Sequence, residues 1–253
     1  MTEKKSPSAK TKEEKKKKPT LSDFKLDLEE MVREGLHFGH RTSRLHPKME
    51  PYLLGVRNTI HIIDVKKTAE KLKEALSFLQ KIISEGKILL FVGTKIQHKE
   101  LVKSLAEDLN MPYVIERWLG GTFTNFEVIK KRTKYLKEIE EKKEKGGLEQ
   151  YTKKEKIKME KDFLRLKTKF EGIKNLEKLP DAIFVVDMKT DELAVKEAKM
   201  KEIPVVAICD TNTDPTLADY PIPANDDAIS SVGYILEKVK KAIIQAKSCR
   251  KKS

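Results

Sequence analysis

Cysteine is scarce in this sequence of 253 residues, which contains only Cys209 and Cys249. Two cysteines supply neither a disulfide framework nor the ligand pattern of a zinc ribbon. No run approaches the ~18 consecutive apolar residues that a membrane-spanning helix needs, and the first residues lack the apolar stretch of a secretory signal. We therefore expect a cytoplasmic protein that is neither stabilised by disulfides nor embedded in a membrane.

The glycine patterns that bind nucleotide phosphates are also missing. Neither G-x-x-x-x-G-K-[ST], whose backbone amides wrap a phosphate, nor G-x-G-x-x-G after a strand-like run occurs in the sequence. Gly93-Thr94-Lys95 does follow such a run, but its spacing favours a simple turn into a helix. A nucleotide-dependent enzyme is therefore the weaker of two function classes.

Charged residues, by contrast, are abundant and sorted along the chain. There are 53 Lys and Arg against 40 Asp and Glu, which gives a net charge of +13. The net charge is +5 in residues 1–20, +1 in 21–129, +7 in 130–171, −7 in 172–237 and +7 in 238–253. We predict a disordered basic arm over residues 1–20 and a basic tail over residues 247–253. The arm either binds a polyanion or only keeps the chain in solution.

Short apolar runs alternate with amphipathic helical patterns through most of the chain. The strand-like runs are 59–64, 88–92, 112–115, 182–186 and 204–208, and the helical patterns are 28–36, 66–85, 97–109, 191–200 and the segment from Asn225 onward. Continuous apolar, β-branched runs between such helices are typical of a parallel sheet covered on both faces. The sequence therefore predicts a three-layer α/β/α, doubly wound (flavodoxin-like) domain formed by residues 21–123 and 174–246.

Residues 124–173 interrupt this alternation. Apolar or small side chains recur there at steps of three and four, at Phe126, Ile129, Thr133 and Leu136 and again at Met159, Phe163, Leu166, Phe170 and Ile173. Gly146-Gly147 separates the two series, and Thr152 and Glu155 have the spacing of a capping box. We predict an antiparallel coiled-coil helical hairpin inserted in the α/β domain.

Acidic residues after the last strand-like run raise the possibility of catalysis. Asp210 and Asp214 follow that run, and Asp226-Asp227 lies close by in sequence. Asp214-Pro215 is typical of a turn, however, and Asn225 with the two acids after it is typical of a helix N-terminus. Because no nucleophile and base stand at a useful spacing, we expect no catalytic residue.

Histidines before the first strand-like run raise the possibility of a metal site. His37, His40 and His46 lie in one predicted loop, and Asp210 could add a ligand if the fold brings it near. With no cysteine partner and no further ligand at a typical spacing, we expect no metal.

The same loop is better suited to a polyanion. Between residues 37 and 57 the cations Arg41, Arg44, Lys48 and Arg57 face one acid, Glu50, and histidines and glycines lie among them. Arginine binds phosphate through two parallel hydrogen bonds and stacks on bases, and folded RNA is recognised largely through its shape and phosphates. Residues 130–132, Lys-Lys-Arg, form a second basic patch at the base of the predicted hairpin.

Together these motifs resemble the bacterial form of the small-subunit ribosomal protein two family. The similar blocks are His37-Phe-Gly-His40 with Pro47-Lys-Met49, Arg57-Asn58 before His61-Ile-Ile-Asp64, Phe91-Val-Gly-Thr-Lys95, Arg117-Trp-Leu-Gly-Gly-Thr122 with Thr124-Asn-Phe126, Leu179-Pro-Asp181, Val185-Val-Asp187, Asp210-Thr-Asn212 with Asp214-Pro215, and Ile222-Pro223 with Asn225-Asp-Asp-Ala228. They occur in the family's order and cover about residues 26–245.

The resemblance implies a non-catalytic structural protein of the small ribosomal subunit in the cytoplasm, without a cofactor, that acts in translation. It implies binding to small-subunit ribosomal RNA on the solvent side between head and body. It also implies contact with neighbouring proteins that include small-subunit protein one, only indirect contact with mRNA, and neither a membrane nor a second copy as partner. The inserted hairpin is the mark of the bacterial or organellar branch.

We expect RNA contacts from the basic loop, the segment around Trp118, the hairpin base and Lys95, with the first two setting the docking geometry. These residues are His37, His40, Arg41, Arg44, His46, Lys48, Arg57, Lys95, Arg117, Trp118, Gly120, Gly121, Thr122, Asn125, Lys130, Lys131 and Arg132.

Overall fold

A computed structural model describes residues 24, 26–144 and 152–250 of the chain. The predicted basic arm, the end of the basic tail and the Gly146-Gly147 turn lie outside the described residues. The strands are β1 (Phe38–Arg41), β2 (Leu53–Arg57), β3 (Ile60–Ile63), β4 (Leu89–Val92), β5 (Tyr113–Val114), β6 (Ala182–Val185), β7 (Val205–Cys209) and β8 (Tyr220–Pro223). The helices are α1 (Leu28–Arg33), α2 (Val65–Ser84), α3 (Lys99–Asp108), α4 (Phe126–Glu144), α5 (Lys153–Phe170), α6 (Glu192–Met200) and α7 (Ile229–Arg250). Within these ranges no helix has both the length and the apolar character to cross a membrane.

A five-stranded parallel sheet forms the centre of the fold. Its strand order is β5-β4-β6-β7-β8, and every neighbouring pair is parallel. Side chains of the strands alternate between two cores: Leu89 and Phe91 of β4 belong to the core that α2, α3 and α7 cover, and Leu90 belongs to the core that α6 and the hairpin helices cover. The predicted three-layer α/β/α architecture is confirmed.

The edge strand β8 was not predicted, and the helix after it begins later than expected. β8 reads Tyr-Pro-Ile-Pro, and proline is tolerated in a strand only where its missing amide hydrogen is not needed, as at a sheet edge. Asn225 does not start α7. Its Oδ1 instead accepts hydrogen bonds from the amides of Asp227 and Ala228 in a turn that precedes the helix at Ile229. The interpretation of Asn225 as a helix N-terminus was therefore wrong by several residues.

A second, antiparallel sheet of order β1-β3-β2 includes part of the segment that we predicted as a loop. β1 begins at Phe38, and its Gly39 approaches the strand-following residue Thr211 so closely that an added Cβ would lie 2.5 Å from Thr211 Cγ2. The His40 amide donates to Thr211 Oγ1 at 3.0 Å, and the His46 amide donates to the Thr211 carbonyl at 2.8 Å. These contacts hold the small sheet against the carboxyl end of the main one.

The two helices of the predicted hairpin contact each other as expected. Phe163, Leu166 and Phe170 of α5 are buried, and the capping box of Thr152 and Glu155 is present at its start. The Lys143 ammonium group, near the end of α4, lies 4.5 Å from the centre of the Phe163 ring in the middle of α5. The helical pair is thus established, while its coiled-coil character stays a prediction.

Candidate functional site

Most of the cations that we predicted to bind RNA are exposed. These exposed residues are Arg41, Arg44, Lys48, Arg57, Arg117, Lys130, Lys131 and Arg132, and the predicted contacts Gly120 and Asn125 are exposed as well. Lys48 donates to Asp214 at 2.7 Å and to Thr216 at 3.0 Å. The pair with Lys48 lowers the pKa of Asp214 to about 2, although burial of the carboxyl opposes the shift. Among the described residues, the other seven cations have no carboxylate within ion-pair distance, so their charges face solvent.

The segment from Arg117 to Asn125 is folded around the buried carboxylate of Glu197 on α6. Glu197 Oε1 accepts from the Gly121 amide at 2.7 Å and Oε2 from the Phe123 amide at 2.9 Å, with weaker bonds from Thr124 and Trp118. Glu197 is 4 % exposed, so backbone dipoles rather than water or a cation stabilise its charge. Glu197 was not predicted, because it lies 73 or more residues from the groups that it holds and carries no local signal of this role.

Two residues of this segment that we predicted to contact RNA are buried, which bears on how they could do so. Trp118 is 6 % exposed, packs edge to face on Phe123 with ring centroids 4.9 Å apart, and donates to Glu197. Thr122 is 3 % exposed, and its hydroxyl donates to the Leu119 carbonyl. Both side chains shape the segment from inside. Base stacking on Trp118 would require the segment to open.

The loops that follow β4, β6, β7 and β8 bring a cluster of charged side chains to the carboxyl end of the main sheet. Its members are Lys95, Asp187, Asp210, Asp226 and Asp227, together with His40 from β1; we call them the sheet-end cluster. The parallel strand order places these four loops side by side, at the edge where open α/β sheets bind ligands. The fold therefore brings Asp210 close to Asp226 and Asp227, the acids that already lie near it in the sequence. It also adds Asp187, which is distant in the sequence, to the same group.

Lys95, which we predicted to bind RNA, is surrounded by carboxylates of this cluster. Its Nζ lies 2.7 Å from Asp227, 3.0 Å from Asp226 and 3.2 Å from Asp187, and the side chain is 18 % exposed. Burial alone would lower the pKa of Lys95, but the three carboxylates outweigh it and raise that pKa. The ammonium group is thus engaged inside the protein rather than presented to a phosphate.

His40 stands between two carboxylates of the cluster. Its Nδ1 lies 3.1 Å from Asp210 Oδ2, and its Nε2 lies 3.5 Å from Asp227 Oδ2 and 3.1 Å from the Asn212 side-chain amide. The Asp210 carboxylate, with help from the charges of Asp227 and Asp226, raises the pKa of His40 against the opposing effect of burial. Of the three histidines in the predicted loop, only His40 reaches Asp210.

His37 and His46 have other surroundings. The His37 ring packs against Phe38 at 4.0 Å beside an open cavity of about 650 Å³, and partial burial lowers its pKa. His46 Nδ1 accepts from the Lys48 amide at the start of a 3-10 turn. Both histidines therefore shape the basic segment from within it.

Asp226 is the most deeply buried acid that contacts Lys95, and a histidine absent from our predictions lies beside it. Burial, reinforced by the charges of Asp187 and Asp210, raises the pKa of Asp226 to about 7. His98 Nε2 lies 2.7 Å from the Asp226 carbonyl, and burial lowers the pKa of His98. Both side chains are 2 % exposed or less. His98 escaped prediction because nothing in its sequence surroundings distinguishes it from a solvent-facing helix residue.

Comparison with known proteins agrees with the motif pattern. A family model described as ribosomal protein S2 matches residues 31–246. A protein named small ribosomal subunit protein uS2 from Coprothermobacter proteolyticus is 45% identical over 225 residues, which cover 89% of this chain and 84% of the relative. Proteins of the same name from Dictyoglomus thermophilum (45% identical, 89% and 92% covered) and Fusobacterium nucleatum (47% identical, 87% and 90% covered) are equally similar.

Proposed function

The chain belongs to the ribosomal protein S2 family, a structural and non-enzymatic component of the small ribosomal subunit in translation, and from this premise we propose that it binds small-subunit ribosomal RNA through two basic surfaces. The first surface, the β1-β2 surface, consists of Arg41, Arg44 and Arg57. The second, the hairpin-base surface, consists of Arg117, Lys130, Lys131 and Arg132. The ribosomal role places the protein in the bacterial cytoplasm.

The observation that carries this proposal is that the exposed positive charges and the mostly buried negative charges lie in different parts of the protein. The seven cations of the two surfaces are exposed and have no described carboxylate at ion-pair distance. The acids of the sheet-end cluster, by contrast, are buried except for Asp227, and they pair with Lys95 or, in the case of Asp210, with His40. Phosphate binding is favoured where a cation does not have to leave an internal partner first. Lys95 accordingly falls outside the proposed contact set.

The two surfaces are also held in place by the fold, which favours recognition of one RNA shape. Main-chain hydrogen bonds to Thr211 hold β1 on the main sheet, and Glu197 holds the backbone that carries Arg117. Phosphate contacts from a rigid backbone fix register and orientation on a folded nucleic acid. Gly121, at a φ of +92°, allows the tight turn that this second segment needs.

We further propose that the RNA contact lies between head and body on the solvent side of the subunit, and that the protein helps to anchor small-subunit protein one. Both statements extend the family resemblance. In support, the small sheet has exposed apolar side chains beside the basic surface, Phe38, Leu54 and Val56, which suit a protein neighbour. A binding assay between the full chain and purified protein one tests the second statement, with Leu54→Ser and Val56→Ser expected to weaken binding.

The RNA proposal is tested by the salt dependence of affinity for small-subunit ribosomal RNA. Each neutralised phosphate contributes about 0.7–0.9 to the slope of log affinity against log salt concentration. Replacing Arg41, Arg44 and Arg57 together by alanine should therefore reduce the slope by about 2–3. Replacing three exposed cations away from both surfaces, Lys66, Lys73 and Lys201, should change it far less. An equal reduction in both triple variants would contradict the proposed surface, since the attraction would then follow net charge alone.

A further inference from the structure

We propose that a pocket at the ends of β4, β5 and β6 receives one unpaired RNA nucleotide, whose base carries an amino group and whose phosphate contacts Arg117 and Lys169. The pocket has a volume of about 500 Å³, within the range of about 300–1,000 Å³ that small-molecule sites occupy. The loops after β4 and β6, the segment after β5, the end of α5 and the start of α6 line it, and we call it the β4-β6 pocket. This inference rests on the RNA binding proposed above and adds to it a place where a base is recognised.

The β4-β6 pocket lies beside the place that β1 occupies. β1 covers the ends of β7 and β8, where His40 contacts Thr211 and Asp227. None of the described residues that line the pocket belongs to β1 or to the sheet-end cluster. The chain passes from β4 outward to β5 and then returns to β6 on the other side of β4, so the strand order reverses at this pocket. Open α/β sheets bind ligands at such a point.

Two exposed cations from different elements line the pocket. Arg117 comes from the segment after β5, and Lys169 comes from the last turn of α5. Neither has a carboxylate within ion-pair distance among the described residues, so both are available to a phosphate. Arg117 also belongs to the hairpin-base surface. An RNA backbone bound to that surface therefore passes the pocket, which brings the adjoining base within reach of it.

The hydroxyl and carboxyl groups that line the pocket are hydrogen-bond acceptors. The Thr94 hydroxyl donates to Asp191 Oδ1 at 2.8 Å, and the Thr190 hydroxyl donates to Asp187 Oδ2 at 2.8 Å. Because the hydrogen of each hydroxyl is engaged, its oxygen can only accept from a ligand. Asp191 is 1 % exposed, and burial raises its pKa to about 6, so this carboxyl is largely ionised at neutral pH and accepts as well.

These acceptors select what can enter the pocket. Cytosine, adenine and guanine each have an amino group that can donate to the hydroxyl oxygens, whereas uracil presents carbonyl oxygens on both sides of its one N–H group. An acidic side chain of a protein is disfavoured for the same reason, since its oxygens would meet the Asp191 carboxylate and two hydroxyl oxygens without a donor. The pocket therefore fits a base that carries an amino group.

Apolar walls for the flat faces of a base are present as well. Leu119 and Leu193 line the pocket, and Leu193 is 47 % exposed although it lies at the start of α6. Gly120 leaves the space next to it free of a side chain, since a Cβ added there would lie 3.7 Å from Leu193 Cδ2. A base between these groups would cover apolar surface that water now contacts.

Fluorescence titration of the full chain with single-stranded RNA tests the proposal without any variant. Trp118 is the single tryptophan of the chain and lines the pocket, so a base that enters should change its emission. The probes are a cytidine hexamer and a uridine hexamer, because cytosine has an amino group where uracil has a carbonyl. We expect the cytidine hexamer to bind about 2- to 12-fold more tightly, which is the contribution of one neutral hydrogen bond. Equal affinity, or unchanged Trp118 emission at saturation, would overturn the inference.

Two pairs of variants test the residues. Thr190→Val removes a hydroxyl of the pocket, and Thr216→Val is its matched control, since Thr216 is also exposed and donates to an aspartate, Asp214, at 2.6 Å. We expect Thr190→Val to abolish the preference for cytidine and Thr216→Val to retain it. Lys169→Ala should reduce the salt slope for the cytidine hexamer by about 0.7, and Lys66→Ala, at an exposed lysine of α2, should leave it unchanged. An equal effect in a pocket variant and its control would contradict the assignment.

Cytidine monophosphate distinguishes a nucleotide of RNA from a free nucleotide. We expect it to bind at least about tenfold more weakly than the cytidine hexamer, because it lacks the backbone that contacts the hairpin-base surface. Equal affinity would assign the pocket to free nucleotides and overturn the assignment to RNA. The salt test of the β1-β2 surface with ribosomal RNA changes no residue of the pocket, so a failure of this inference and a failure of the proposed function are separate results.

Discussion

Replacing Glu197 by glutamine should destabilise the protein strongly, although it changes one oxygen atom to an amide nitrogen. Both carboxylate oxygens accept from backbone amides, Oε1 from Gly121 and Oε2 from Phe123 and Thr124. A glutamine has one acceptor oxygen, so in either orientation its NH₂ group faces backbone N–H groups. At least one buried amide therefore loses its acceptor and meets a second donor instead.

The magnitude follows from the hydrogen bonds. A bond to a charged acceptor contributes about 1.5–3 kcal/mol, and a bond between neutral groups about 0.5–1.5 kcal/mol. If the new amide faces Gly121, the loss of the 2.7 Å bond costs about 1.5–3 kcal/mol. Weakening of the remaining bonds costs about 1 kcal/mol more. The neutral amide is easier to bury, which offsets part of this, so we expect a net loss of about 2–4 kcal/mol.

Urea denaturation measures this loss, and a second glutamate on α6 supplies the control. Glu192 is about half exposed, and its one ion-pair partner within the described part of the chain is Lys196, at 2.7 Å. Because an exposed pair at this spacing contributes about 0.3–0.5 kcal/mol, Glu192→Gln should change the free energy of unfolding by no more than that. Hydrogen exchange should show faster exchange at the amides of Gly121 and Phe123 in Glu197→Gln alone. Equal stability of the two variants, or unchanged exchange at those amides, would refute the role assigned to Glu197.

Two further predictions concern a close approach and a titrating side chain. Gly172→Ala should destabilise the chain by about 1–3 kcal/mol, because the new Cβ would overlap the Tyr113 carbonyl oxygen. Gly233→Ala, which places its Cβ in open space on α7, should instead stabilise the chain by about 0.5–1 kcal/mol. A loss of stability in both variants would contradict the packing argument. The raised pKa of His40 means that its contribution to stability is fully present below pH ~6.5 and is lost as the pH rises through the folded-state value. Unfolding free energies between pH 5.5 and 9 should therefore show wild type and His40→Gln converging at high pH, and a constant difference would count against the His40-Asp210 interaction.

The sequence predicted best what depends on local pattern. Helices α1, α2 and α3 end two residues before Gly35, Gly86 and Asn110, and all three of these residues have positive φ values, of 76°, 75° and 49°. Such a conformation stops a helix whatever surrounds it, so the signal can be read from the chain alone. Continuous apolar runs likewise identified strands β4, β5, β6 and β7 of the main sheet, since burial on both faces leaves such a run.

The features that the sequence did not reveal depend on partners far along the chain. β2 is exposed from Leu54 to Arg57, on both of its faces, so it lacks the apolar alternation of a half-buried strand. The surroundings of Lys95 differ from our expectation for the same reason: an exposed-looking lysine after a strand gives no sign that Asp187 and Asp226 will meet it. The local sequence pattern identifies helices and strands. What a charged side chain binds is determined by the residues that the fold brings next to it from distant parts of the chain.

The position of β1 explains why a sheet of the type that often binds nucleotides belongs to a structural protein. Ligands of open α/β sheets bind in the crevice at the carboxyl ends of the strands. Here the chain places its own backbone there: Gly39 fits against Thr211, His40 enters among the carboxylates, and His46 binds the Thr211 carbonyl. A nucleotide bound there would have to displace this strand and then bring its phosphates against several aspartates.

The same strand continues into Arg41 and, beyond it, Arg44, both exposed, so the segment that closes the crevice also carries cations of the proposed RNA surface. A substitution that releases β1, such as Gly39→Ala, should therefore weaken RNA binding without removing a cation.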